Sequence, residues 1–107
     1  VIDLQNHLLY LADLIVKRNL ESNKLRGVEV LWKDKEQTVC LYFYFDESPT
    51  EEDCEMAWDI SAGIIASFPD GLLEGRFIDL DSSQLLPTST FWAYKRDKEK
   101  CCRKHQV

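Results

Sequence analysis

The chain is poor in the residues that most enzymes and metal proteins depend on. It has only two histidines, His7 and His105, far apart in the sequence. A Ser-His or Cys-His nucleophile needs a well-placed base. His7 falls in a helical pattern and reads as a surface residue of that helix, and His105 lies in a polar terminal stretch. Neither serves that role, and no catalytic residue is expected. The cysteines, Cys40, Cys54, Cys101 and Cys102, form no Cys-x-x-Cys pair, so neither a zinc site nor any other metal is expected. Cys40 sits in a strand pattern and reads as a buried free thiol. This cysteine usage fits a reducing, cytoplasmic location. The glycines at 27, 63, 71 and 75 are scattered and make no phosphate-cradling loop, so no nucleotide cofactor is expected. No apolar run approaches the roughly 18 residues that cross a bilayer. The stretch Val1 to Val16 is broken by Asp3, Gln5, Asn6, His7 and Asp13, against a signal-peptide core or a membrane anchor.

What is present is an ordinary globular composition, 45% hydrophobic and 30% charged, in 107 residues, the size of one domain with a modest core. The net charge of −6 is unevenly placed. Between Asp46 and Asp81 stand eleven acids against one base, Arg76, a local charge of −10. The stretch from Asp97 to Val107 carries four bases and two acids. Such a field repels nucleic acid and attracts basic proteins; it also serves simply to keep a protein soluble.

Leu4, Leu8, Leu11, Ala12, Ile15 and Val16 recur at helical spacing and predict an amphipathic helix from about Asp3 to Leu20, ended by the loop from Glu21 to Lys24. Val28, Val30 and Trp32 alternate with Glu29, Leu31 and Lys33 and predict a strand. The polar turn Asp34-Lys35-Glu36 then leads to Thr38–Phe45, which is apolar on both faces and predicts a central strand paired as a hairpin with the first. Ser48-Pro49-Thr50-Glu51 predicts a helix start, with Ser48 as cap and Glu51 completing a capping box. That helix should run to about Ser67, with Met56, Ala57, Ile60, Ile64 and Phe68 as its apolar stripe, and stop at Pro69-Asp70-Gly71. A third strand is predicted from about Glu74 to Asp81, a loop containing Pro87 follows, and a fourth strand runs from Thr90 to Lys95. The expected fold class is α+β: two layers in the order α-β-β-α-β-β, a four-stranded, mainly antiparallel sheet with both helices on one face. The open face would display some of Tyr42, Tyr44, Trp92 and Tyr94. Residues 1–96 form the expected domain, and 97–107 a polar basic tail that frays or adds a short helix.

Two groups of acids are candidates for function. Asp79 and Asp81, two apart in a strand, point to the same side. They could hold a hard cation or act as a glycosidase pair, or they could be an edge that discourages strand pairing. Glu51, Glu55 and Asp59 are spaced four apart, with Glu52 and Asp53 beside them. Like charges at that spacing cost a few tenths of a kcal/mol per pair, a local cost that hints at a partner. Trp58 reads either as the rim of the core or as an aromatic anchor in an acidic surface. The basic residues form no stripe with stacking aromatics, so nucleic acid is not an expected partner.

Several segments together carry a family resemblance. Ser22-Asn23-Lys24-Leu25-Arg26-Gly27-Val28-Glu29-Val30 is similar to a "P-N-L-R-A-V-x-V" opening, and Leu41-Tyr-Phe-Tyr-Phe-Asp46 to an "F-Y-F-D" strand end. Glu51-Glu52 followed by Ile64-Ile-Ala-Ser-Phe-Pro-Asp70 resembles "S-E-E-D…E-V-I-A-D-F-P-D". Ile78-Asp-Leu-Asp81 resembles "I-R-L-D", and Trp92-Ala-Tyr-Lys-Arg96 with Glu99 the closing "W-V-Y-x-R-K-E". These motifs, in this order, resemble small bacterial immunity proteins of contact-dependent growth-inhibition and related polymorphic-toxin systems. The likeness spans about residues 8 to 99. The chain departs from the pattern at Ser22 for Pro, Gly27 for Ala and Gly63 for a Glu near that place. The resemblance implies a non-catalytic cytosolic protein, monomer or homodimer, that binds and neutralises a toxin domain, a nuclease being the type that an acidic surface suits. The residues expected to bind the partner are Asp46, Glu47, Glu51, Glu52, Glu55, Trp58, Asp59, Asp79, Asp81 and Tyr94. The alternative is an interaction or homodimerising subunit domain of another role, built through the aromatic sheet face.

Overall fold

The leucine-rich period at the start of the chain becomes helix α1, Leu4–Asn19, in a computed structural model that describes residues 4–20, 24–89, 91–96 and 99. Leu8, Ala12 and Val16 are its buried row, and Lys17 and Arg18 occupy the last turn, where the helix dipole favours cations. Strands β1, Leu25–Lys33, and β2, Thr38–Phe45, follow as the expected antiparallel hairpin. Its turn places Gln37 in the left-handed region (φ 50°), with the Gln37 N–H donating to the Asp34 carbonyl at 3.2 Å.

Helix α2, Glu51–Ile65, is capped two residues later than the sequence suggested. Thr50, not Ser48, is the cap, and Asp53, not Glu51, completes the box. The Asp53 N–H donates to Thr50 Oγ1 at 3.1 Å, and the Thr50 N–H donates to Asp53 Oδ2 at 2.9 Å. Both segments read Ser/Thr-x-x-acid, and the tertiary setting chose between them: the Ser48 hydroxyl is engaged with Asp79 Oδ2 at 3.0 Å.

Strands β3, Leu72–Asp79, and β4, Trp92–Lys95, complete a four-stranded sheet in the order β3-β2-β1-β4. It is mixed, not mainly antiparallel. β3 runs parallel to β2, and β4, which is short, pairs antiparallel with β1. A parallel neighbour needs a long crossover, which α2 supplies. Residues 80–91 then carry the chain to the opposite edge.

Val28, Val30, Val39, Leu41, Phe43 and Phe45 of the hairpin pack with Leu8, Ala12 and Val16 of α1 and Met56, Ala57, Ile60 and Ile64 of α2 in one core cluster. Both helices therefore cover the same face. On the other face, Tyr44 lies 5.2 Å from Trp92 between ring centroids, and its hydroxyl donates to Glu29 Oε1 at 3.1 Å. Tyr94 is not on that face but packs against the core. A Cβ at Gly27 would meet the Trp92 ring at 2.9 Å and the Tyr94 carbonyl at 3.0 Å, so glycine is what lets that ring sit against β1. A Cβ at Gly63 would meet the Ile15 side chain at 3.2 Å, a close contact between α1 and α2. Asp3, the loop residues 21–23, Thr90 and the tail, except for Glu99, lie outside the described residues.

Candidate partner-binding surface

Several residues of the motifs that carry the family resemblance, from Arg26 to Glu99, converge at one end of the sheet. Arg26 is the second residue of β1, Asp46 follows β2, Leu80 and Asp81 follow β3, and Arg96 follows β4. Arg26 is only 1% exposed. Its Nε and Nη2 donate to the two oxygens of Glu99, each at 2.8 Å, in a forked pair. Its Nη1 donates to the carbonyls of Leu80 and Asp81, each at 3.0 Å. Arg96 donates to Glu99 Oε2 at 2.8 Å and to Asp46 Oδ2 at 2.7 Å. These donors, Arg26 first, hold the Glu99 carboxyl at about 2, below its ordinary 4.5. Sequence reading missed this cluster because its members are scattered through the whole chain. Their joint presence in the quoted motifs was the available signal.

The expected partner-binding residues separate into two groups. Asp46 belongs to the ionic cluster and Tyr94 to the margin of the core. Asp81 is exposed, but its Oδ1 accepts the Ser83 N–H at 2.8 Å, which holds the carboxyl below its usual range. Asp79 is exposed and accepts from Ser48. Glu47, Glu51, Glu52, Glu55, Trp58 and Asp59 are all exposed. Thr50, Glu51, Glu52 and Glu55 line an open depression of about 400 Å³ at the start of α2. Among the described residues, no ion pair involves Glu51, Glu52, Glu55 or Asp59. Asp53, by contrast, is buried in its capping role. Trp58 lies 6.0 Å from Phe77 of β3 between ring centroids, so an aromatic pair stands beside the acids. Sequence reading gave Phe77 to the strand without seeing this pair, because only the sheet order places β3 beside α2 at an edge.

Away from this surface, Cys40 is a buried free thiol that donates to Glu74 Oε2 at 3.2 Å. Burial, reinforced by Glu74, pushes its pKa up, the opposite of an activated nucleophile. His7 is exposed on α1, its ring 6.1 Å from that of Phe68. Among the described residues, no group of three or more His, Cys, Asp or Glu side chains is placed to hold a metal ion. No helix is long and apolar enough to cross a membrane. What the geometry offers is a group of exposed carboxylates, without an ion pair among the described residues, beside exposed aromatic area, a combination of the kind that partner surfaces use.

The family model of the MafI2 immunity protein matches residues 21–98, a span that takes in β1, β2, α2, β3 and β4. No curated protein matches the chain. The matched span holds Arg26, Asp46 and Arg96 of the ionic cluster as well as all of α2 and β3. The chain belongs to the MafI2 immunity protein family, small bacterial immunity proteins of polymorphic-toxin systems.

Proposed function

We propose that this chain binds a cognate toxin domain in the cytosol, that the toxin is a nuclease, and that the acidic outer face of α2 is the main recognition surface. Membership of an immunity family implies a toxin protein as partner. The observation that carries the finer reading is the group of exposed carboxylates Glu51, Glu52, Glu55 and Asp59, which have no ion pair among the described residues. A nuclease needs a basic groove to hold phosphates. An acidic protein surface complements that groove, speeds encounter and competes with the substrate, while the same field repels nucleic acid itself.

The test is reconstitution with the cognate toxin domain. One equivalent of the chain should abolish nucleic-acid cleavage. The association rate should fall by about tenfold or more between low and physiological salt, because steering between exposed charges is screened over a Debye length of about 8 Å. A toxin that stays active at saturating chain, or cuts no nucleic acid, would refute the nuclease-inhibitor reading. A rate indifferent to salt would remove the acidic face from recognition.

A further inference from the structure

The two edges of the sheet are treated differently. At the β4 edge the exposed part of β1 is plugged. β4 is short, and beyond it the Gln5 side chain accepts the Trp32 N–H at 2.8 Å and donates to the Val30 carbonyl at 3.0 Å. An amide side chain there takes the place of a strand. At the other edge β3 runs for eight residues without proline and without a register shift against β2, and no described strand pairs with its far side. Natural edges are ordinarily blunted by bulges, proline or inward-pointing charges.

The parallel ladder tells which backbone groups are open. The Leu72 N–H donates to Gln37 and the Leu80 N–H to Phe45, so the even residues of β3 direct their amides towards β2. By the alternation of a parallel strand, the amides and carbonyls of Leu73, Gly75 and Phe77 face outward. Their side chains share the helix side, and no charge enters that row before Asp79, the last residue of the strand. A Cβ at Gly75 would meet nothing within 4 Å. Leu72, Phe77 and Trp58 are 66%, 36% and 58% exposed, so three of the large exposed apolar residues lie on this strand or on the α2 turn facing it. Glu55 and Asp59 flank Trp58 along α2.

We infer that the edge of β3 receives an extended, basic segment of the toxin as a fifth strand. Trp58 and Phe77 then form the apolar floor beneath its side chains, and Glu55, Asp59 and Asp79 face its lysines or arginines. Backbone pairing supplies affinity and the alternate side chains supply specificity. The inference rests on the immunity reading above, and it names the contact through which that reading would operate.

The test uses the full chain with the cognate toxin domain, its catalytic activity removed by mutation. Gly75→Pro deletes one outward amide while leaving the ladder to β2 intact, and proline is tolerated where the N–H side of an edge strand faces solvent. Gly75 does not have a positive φ, and the open space around it accepts the ring. This variant should melt as a single transition and bind the toxin about tenfold or more weakly; Trp58→Ala should do likewise. Tyr10→Ala, an exposed α1 position, should bind as wild type. Amide hydrogen exchange on the wild-type complex gives a readout independent of any variant. The Leu73, Gly75 and Phe77 amides should exchange freely in the free chain and become protected on binding. Wild-type chain that does not bind the toxin overturns the immunity reading itself. Wild-type binding with those amides unprotected, and Gly75→Pro binding unchanged, overturns the edge contact alone. Protection of the same amides in the free chain, with a dimeric mass by light scattering, assigns the edge to a second copy and also overturns it.

Discussion

Arg26 is buried with all three guanidinium nitrogens hydrogen-bonded, and Glu99 is the partner that makes this tolerable. Removing one member of a buried pair leaves the other charge uncompensated, so Glu99→Gln should destabilise the fold by roughly 3 kcal/mol at neutral pH. The pH dependence has a definite sign. The Glu99 carboxyl is depressed from 4.5 to about 2, so its contribution is complete above the ordinary value and is lost as the pH falls towards 2. Thermal melts of wild type and variant should therefore differ fully at pH 7 and converge below about pH 4.5. A gap unchanged at pH 2.5 would contradict the role given to the carboxylate. Cys40 offers a second check at this scale. Buried and with its pKa raised, it should resist alkylation in the native protein and react only on unfolding, as peptide mass spectrometry would show. That Cys40 is a buried thiol was legible from its place in a strand. The bonding of Arg26 to Glu99 was not, because it joins residues at opposite ends of the chain.

At the scale of elements, periodicity placed α1 and β2 closely, and caps were less well determined. Ser48-Pro49-Thr50-Glu51 and Thr50-Glu51-Glu52-Asp53 are both plausible helix starts, and local sequence does not rank them. Thr50 is the cap, so Thr50→Ala should cost about 1 kcal/mol and lower the melting temperature by about 4–8 °C, whereas Ser48→Ala should have the smaller effect. The reverse order would return the cap to Ser48. The pairing of β3 was misread for a related reason. A string of two strands, a helix and two strands fits two hairpins equally well. The loop over residues 80–91 is too long for a tight hairpin, and this was the clue that β3 and β4 occupy opposite edges.

For the whole molecule, the local excess of acid between Asp46 and Asp81 divides into structural and free charge. Asp46 is paired with Arg96 and Asp53 is buried as part of the helix cap, and Asp79 and Asp81 are hydrogen-bonded at the surface. Glu51, Glu52, Glu55 and Asp59 stay exposed without an ion pair among the described residues. Neutralising Glu52, Glu55 and Asp59 together should slow toxin association by about tenfold at low salt, with a smaller change in dissociation. Stopped-flow measurement of both rates would decide it; a change confined to dissociation would mean that these acids act by contact rather than by steering. Only part of the acidic list read from the sequence belongs to this group, because residue type reveals charge but not whether the charge is already answered within the fold.

The sequence by itself determined the α+β class, the helical and strand periods, the uneven charge and, through its ordered motifs, the family. Those properties are local, or are counted along the chain. Tertiary structure decided the rest. It placed β3 parallel to β2, because α2 crosses over the core to bring it there. It gathered Arg26, Asp46, Arg96 and Glu99 into one ionic cluster around the buried Arg26, and it left β3 without a described strand on its far side, beside Trp58, while Gln5 took up the part of β1 beyond β4. Such outcomes depend on which distant segments meet, and a residue's bonding capacity is fixed only once its neighbours in space are known.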